Sequence, residues 1–132
     1  MHSRSSLAVL AAVGLAFGTA AGAQPLQEKG PRVRMLVQTS PLAGFRHGAA
    51  SEVWPQLRAG DPLVLVREAD NAFDANAVRV EWRGRMLGYV PRRDNAPLAW
   101  ALDRGETLHA RISRCEWHPN PARRIAFDVF VE

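Results

Sequence analysis

The chain has 132 residues, of which 47% are hydrophobic, enough for one small domain with a core of its own. Its formal charge is +4 with a pI near 10.5, and Lys29 is the only lysine among 17 basic residues. That balance fits a polyanionic partner such as nucleic acid, and arginine suits bidentate contact with phosphate or carboxylate, although a GC-rich genome also replaces Lys with Arg. The single cysteine, Cys115, excludes an internal disulfide, so the core alone must hold the domain. No Walker-type phosphate loop is present, which excludes an ATPase of that kind. The serines after position 23 are Ser40, Ser51 and Ser113, and none lies in a nucleophile motif, so no enzyme activity is expected.

Residues 1–23 have the three parts of a secretory signal: Arg4 near the start, an uncharged apolar run from Leu7 to Phe17, and small residues Ala21-Gly22-Ala23. The run is too short to span a bilayer. Cleavage is expected after Ala23, making the protein exported, periplasmic or secreted; the alternative is a buried N-terminal helix. No Cys directly follows the cleavage site and no second apolar run reaches membrane length, so no membrane anchor is expected. Residues 24–31, with Pro25, Gly30 and Pro31, read as a flexible leader, and residues 32–132 as the domain.

Alternation of Arg32 and Arg34 with Val33, Met35 and Val37 predicts a strand over Arg32 to Gln38, broken at Ser40-Pro41. Ser51 to Leu57 reads as a short helix capped by Ser51, with Pro55 awkward in it. Leu63 to Arg67 is a strand with too few polar residues for a wet face. Ala77 to Trp82 and Arg85 to Val90 flank Arg83-Gly84, a two-residue hairpin candidate. Asp94 caps a second helix, Asn95 to Asp103, with Pro97 in its first turn and Gly105 as its stop. Leu108 to Cys115 and Ile125 to Val131 alternate as strands around the rigid loop His118-Pro119-Asn120-Pro121. The sum is a mainly β (α+β) fold of six short strands and two short helices, a spacing that predicts a small closed or nearly closed barrel. Trp54, Trp82 and Trp100 are expected in the core or half-buried.

One loop stands apart. Asp70, Asn71, Asp74 and Asn76 surround Phe73 between two strands, and Asp and Asn bond their own backbone and tolerate tight turns. Such a loop either only turns the chain or holds a carboxylate and an aromatic ring toward a ligand. Asn76 and Asp70 read as shaping it, and Asp74 and Phe73 as meeting whatever binds. Arg67 has two readings, a partner for Asp70 or Asp74 or a backbone contact for a ligand alongside Arg46, Arg92 and Arg93.

Trp54-Pro55-Gln56-Leu57, Gly60-Asp61-Pro62-Leu63, Arg67-Glu68, Asp70-Asn71, Phe73-Asp74-Ala75-Asn76-Ala77-Val78 and Leu87-Gly88-Tyr89-Val90-Pro91-Arg92 occur in that order. This ordered set resembles the HIRAN domain family over roughly Val33 to Val131, nearly all the chain after the leader. The resemblance implies an OB- or SH3-like β-barrel that binds nucleic acid, probing the free 3′ end of single-stranded DNA. By the resemblance, Asp74 matches the carboxylate that accepts the terminal 3′-hydroxyl, Phe73 an aromatic on the terminal nucleotide, and Asn71 a polar loop contact. Tyr89 and Arg92 match a base- or phosphate-contacting side chain and a basic residue, and Phe45-Arg46-His47 the segment where an Arg precedes aromatics. Phe73 lacks the hydroxyl of the usual Tyr, and His47 replaces a larger ring in a shortened segment, which weakens stacking there.

Cys115-x-x-His118 has half the spacing of a zinc site, but only His47 and His109 remain to complete it after the signal; Cys115 and His118 are weak candidates and no cofactor is expected. The partner expected is single-stranded nucleic acid, with the protein a monomer. An export signal on a reader of DNA ends allows three readings: binding of nucleic acid outside the cytoplasm, an adaptor for a protein or acidic envelope ligand, or a misassigned start codon.

Overall fold

The computed structural model describes residues 33–132. The expected signal peptide and leader, and Arg32, lie outside the described residues.

Period-two burial is clearest over Val78–Trp82, where Val78, Val80 and Trp82 are buried and Arg79 and Glu81 between them are not. In chain order the strands are β1 (Met35–Pro41), β2 (Pro62–Arg67), β3 (Val78–Trp82), β4 (Arg85–Tyr89), β5 (Leu108–Cys115) and β6 (Ile125–Val131). They form one six-stranded sheet in the order β1-β6-β5-β2-β3-β4, with every pairing antiparallel. The sheet does not close by a continuous ladder. Its two edges meet at one bridge, where Ala43 N donates to Tyr89 O at 2.9 Å and Tyr89 N to Ala43 O at 2.8 Å. The sheet is therefore OB-like but not closed into a barrel, its ends touching at this isolated bridge.

That bridge needs Gly88. A Cβ there would lie 2.2 Å from the Ala43 carbonyl oxygen and 3.1 Å from Leu42, so no side chain fits between the two edges. The β3–β4 hairpin turns at Arg83 and Gly84, both in the left-handed region with φ of 48° and 77°. This is the geometry a two-residue hairpin requires.

Several boundaries differ from those the residue pattern predicts. β1 starts later and runs through Pro41, which sits at its last position, where a missing N–H disrupts little. The first helix is only α1 (Ala50–Val53), with Ala49 rather than Ser51 at its N-cap position and no side-chain cap. It tightens into a 3₁₀ turn over Trp54–Gln56, because Pro55 has no N–H to continue the α ladder. α2 spans Arg92–Asp103 and is entered through Pro91, so Asp94 lies inside its first turn and Pro97 beyond it. Asp94 instead accepts a hydrogen bond from Ser40 Oγ at 3.3 Å. β2 does have a wet side: Leu63 and Leu65 are buried while Val64 is 60% exposed.

The core joins Leu63, Leu65, Val78, Val80, Leu87, Ile112 and Phe127 of the sheet to Leu98 and Ala99 of α2. Trp82 is buried and Trp54 half-buried, but Trp100 is 55% exposed. It lies off the helical stripe of Asn95, Leu98, Ala99 and Leu102 that faces the sheet. No helix among the described residues is long and apolar enough to cross a membrane.

Candidate nucleic-acid interface

The loop between β2 and β3 contains no glycine, yet it is tightly held. One rung beyond the ladder, Glu68 N donates to Ala77 O at 2.9 Å, and two turns follow, Asn71 N to Glu68 O at 3.2 Å and Ala77 N to Asp74 O at 3.1 Å. The Asn71 Oδ1 accepts from the backbone N–H of Phe73 at 2.8 Å and of Asp74 at 3.1 Å. The Asp74 Oδ1 accepts from Asn76 N at 2.9 Å. These are side-chain mimics of a backbone turn, which is why Asx residues serve here. The shaping roles therefore fall to Asn71 and Asp74, whereas Asp70 and Asn76 make no side-chain hydrogen bond among the described residues.

Arg67 stitches the base of the loop. Its Nη2 donates to Ala75 O at 2.7 Å and its Nη1 to Ala77 O at 3.2 Å. Its ion-pair partner is neither Asp70 nor Asp74 but Asp103 at the end of α2, at 3.0 Å. With its side chain only 17% exposed, Arg67 is a scaffold residue and not a free cation.

Phe73 stands at the tip, 85% exposed. A lone exposed aromatic is ordinary; its place on a cleft rim is not. His47, Asn71, Phe73, Asp74, Tyr89 and Arg92 line one cleft of about 710 Å³, together with Gly44 and the bridge residue Ala43. Arg46 lies outside it, exposed on the 3₁₀ turn Phe45–His47, in an adjoining depression. The cleft exists because the two sheet edges touch: the bridge sets Gly44 against the Tyr89 ring, and the β2–β3 loop and the start of α2 form the other walls.

Charge alternates across the cleft mouth. The Asp74 Oδ2 accepts from the buried Asn95 Nδ2 at 2.8 Å and lies 3.8 Å from Arg92 Nε. Arg92 Nη2 donates to Phe73 O at 2.7 Å, while its side chain remains 71% exposed. Asp74 thus offers a negative acceptor, and Arg92 beside it a cation largely open to solvent, at the helix end where the dipole adds partial positive charge.

Behind the cleft lies a relay. The Tyr89 hydroxyl donates to Glu68 Oε1 at 3.0 Å. Glu68 also accepts from Asn71 Nδ2 at 2.9 Å and pairs with Arg79 at 2.7 Å, which in turn pairs with Glu81 at 2.7 Å. The Asn71 hydrogen bond holds the Glu68 carboxyl below its ordinary value of 4.5; burial opposes this, and Arg79 and Tyr89 reinforce it. Burial, then the neighbouring Glu68, pushes the Tyr89 phenol up. The Tyr89 hydroxyl is thereby committed to the protein, leaving its ring to the cleft.

Cys115 and His118 are occupied separately. The thiol approaches Leu57 O at 3.8 Å and is pushed up by burial, and His118 Nδ1 accepts from Asn120 N at 2.9 Å. The described residues contain no cluster of three or more metal-ligating side chains.

A family model described as the HIRAN domain matches residues 35–132. The chain belongs to the HIRAN domain family. No curated protein matches it. A crystal structure of a protein from Lactobacillus plantarum is similar, with a TM-score of 0.65 and 24% identity, covering 75% of this chain and 95% of that one. The HIRAN domain of human HLTF is similar with a TM-score of 0.55 and 15% identity, covering 74% of this chain and 78% of that one. At these identities the likeness shows the fold. HIRAN domains are known in general as DNA-binding modules, not as catalysts, and membership supports nucleic-acid binding here.

In this HIRAN domain the residue pattern left three supporting residues without a role: Glu68, Arg79 and Asn95. Glu68 sat in a quoted motif, but its link to Tyr89 spans 21 residues and its link to Arg79 spans 11. Asn95 gave no signal, since nothing local marks a buried carboxamide. Because the folded-state value of Glu68 is depressed, folding favours its ionised form. Its stabilisation is present above the unfolded value of 4.5 and is lost as pH falls through the lower folded value. Urea unfolding across acidic pH should therefore show stability declining below the ordinary glutamate range, with a shallower decline in Glu68→Gln. Identical slopes would remove Glu68 from the set of acid-sensitive groups.

Proposed function

We propose that the cleft binds the free 3′ end of single-stranded DNA, without catalysis by this domain. The observation that carries this is Asp74, a carboxylate at the cleft wall between an exposed aromatic and an exposed arginine. A carboxylate oxygen has more than one acceptor site, and each oxygen of Asp74 has one protein donor, so acceptor capacity remains on both. A terminal 3′-hydroxyl is a donor that suits it, whereas an internal phosphate is repelled. Phe73 offers a stacking face worth about 1–3 kcal/mol per base without regard to sequence. Arg92 and His47 line the same cleft, which supports a contact from them to the adjoining phosphate. The apolar run Leu7 to Phe17 and the small residues before Gln24 support placing this activity outside the cytoplasm.

Fluorescence anisotropy with oligonucleotides that differ only at the 3′ terminus tests the reading. A free 3′-hydroxyl should bind more tightly than a 3′-phosphate, while changes at the 5′ end should have little effect. Equal affinity for both 3′ ends would overturn it.

A further inference from the structure

We propose that a second groove, lined by Arg93, Arg114 and Arg123, seats the phosphodiester backbone of nucleotides leading away from the end held in the cleft. The proposal rests on the reading of the cleft as a strand-end site.

Ion pairing is the rule for arginines on this surface. Arg34 pairs with Glu132, Arg67 with Asp103, Arg79 with Glu68 and Glu81, Arg85 with Glu52, and Arg104 with Glu106. Arg83, Arg111 and Arg124 lie over the rings of Trp82, Phe130 and Trp117. Arg58 is spent on the carbonyls of Pro55 and Leu57. The exceptions cluster. Among the described residues Arg46 and Arg123 have no side-chain partner, Arg114 bonds only the Arg123 carbonyl at 3.3 Å, and Arg93 reaches only Asp94, at 3.7 Å with its side chain 73% exposed.

Three of these four come from separate elements, α2, β5 and the 3₁₀ turn Pro121–Arg123, yet line one groove of about 480 Å³. No acidic residue lines that groove, and its other wall is the β1 end from Thr39 to Ala43. Ala43 also lines the cleft, so the two have a wall residue in common at the sheet-edge bridge. Arg46 lies in a third depression, which shares His47 with the cleft and Ala122 with the groove. Among the described residues Asp94, paired with Arg93, is the one acid that meets any of the three groove arginines; like charges so gathered repel one another, and a chain of phosphates relieves that repulsion along its length. The carboxylate in the cleft and the arginines of the groove thus divide the ligand: a neutral hydroxyl end at one, a polyanion at the other.

Anisotropy on the full chain, with oligothymidylates of about 3 and about 12 nucleotides carrying a free 3′-hydroxyl, separates the two sites. The longer strand should bind more tightly. The triple variant Arg93→Gln, Arg114→Gln, Arg123→Gln should lose that gain and lower the salt slope of log affinity by about 2, at about 0.7 per phosphate contact on single strands. It should keep the preference for a 3′-hydroxyl, and the corresponding triple Lys variant should retain the slope. An unchanged length gain and slope in the Gln variant would overturn the groove, whatever the 3′ end does. Loss of end preference with the length effect intact would sink the end reading and leave the groove standing. Binding of polyglutamate but of no oligonucleotide would overturn the groove's assignment to nucleic acid in favour of an acidic protein.

Discussion

Replacing Asp74 with Asn should abolish the preference for a 3′-hydroxyl over a 3′-phosphate. A hydrogen bond to a charged group contributes about 1.5–3 kcal/mol, and a neutral one about 0.5–1.5. The hydroxyl end should therefore bind roughly tenfold more weakly to Asp74→Asn, since about 1.4 kcal/mol is a factor of ten. The phosphate end should bind more tightly, because the repelling charge is gone. The variant suits the test because its remaining carbonyl oxygen can still accept from Asn76 N, the bond that shapes the loop. Its new amide faces the Nδ2 of Asn95, which is only 2% exposed, so one of the two donors loses its acceptor unless Asn95 turns over. A modest loss of stability, about 1–3 kcal/mol for an unsatisfied buried donor, should accompany the change and be visible in urea unfolding. The ratio of the dissociation constants for the two ends is the decisive quantity, because a general loosening of the fold weakens both alike. A ratio that stays at its wild-type value would remove Asp74 from end recognition.

Gly88→Ala should be the most destabilising single methyl addition in the domain. Gly88 has no positive φ, so its requirement is purely steric: the added Cβ meets the Ala43 carbonyl at 2.2 Å. Backbone cannot swing aside as a flexible side chain does. Relief means parting the two sheet edges and losing both hydrogen bonds between Ala43 and Tyr89. Overpacking costs typically about 1–3 kcal/mol and sometimes more. With the lost bridge the expected cost is about 3 kcal/mol, a fall in melting temperature of roughly 12–24 °C for a domain of this size. Gly60→Ala is the matched comparison, since Gly60 has φ of 94° but open space around it. Its cost comes from backbone strain alone, about 1–2 kcal/mol. Thermal unfolding should rank Gly88→Ala well below Gly60→Ala; equal melting temperatures would mean that the edge bridge contributes little. The cleft wall is built on the same bridge, so oligonucleotide binding should weaken in Gly88→Ala even where the protein remains folded.

The alternation of Leu108, Ala110 and Ile112, and of Ile125, Phe127 and Val129, was enough to draw β5 and β6 to their observed ends. Arg83-Gly84 announced a hairpin through turn chemistry alone, and both residues do adopt positive φ. The HIRAN motifs were legible as a string, and residues 35–132 match that family. Helix ends were less legible, because two prolines act through hydrogen bonds they fail to make: Pro55 turns α1 into a 3₁₀ segment, and Pro91 opens α2 ahead of Asp94. The division of labour within the 68–77 loop was misread for a similar reason. Asx residues at neighbouring positions have the same local chemistry, and only the path of the backbone decides that Asn71 and Asp74 accept its N–H groups while Asp70 and Asn76 do not.

By itself, then, the sequence determined what local chemistry can determine: the strand periodicity, the hairpin, the glycine-free Asx loop, the absence of an internal disulfide and the family. These depend on residues a few positions apart. Only the tertiary structure decided which side chains share a surface. Arg67 meets Asp103 across 36 residues, Asn95 meets Asp74 across 21, and His47 joins Phe73 and Arg92 at one cleft. Each of these meetings follows from strand register and from the curl that brings Ala43 to Tyr89, neither of which any short stretch of chain encodes. That Arg114 and Arg123 have no acid beside them among the described residues was invisible for the same reason. An arginine lacks a partner only in relation to the acids that folding sets beside it.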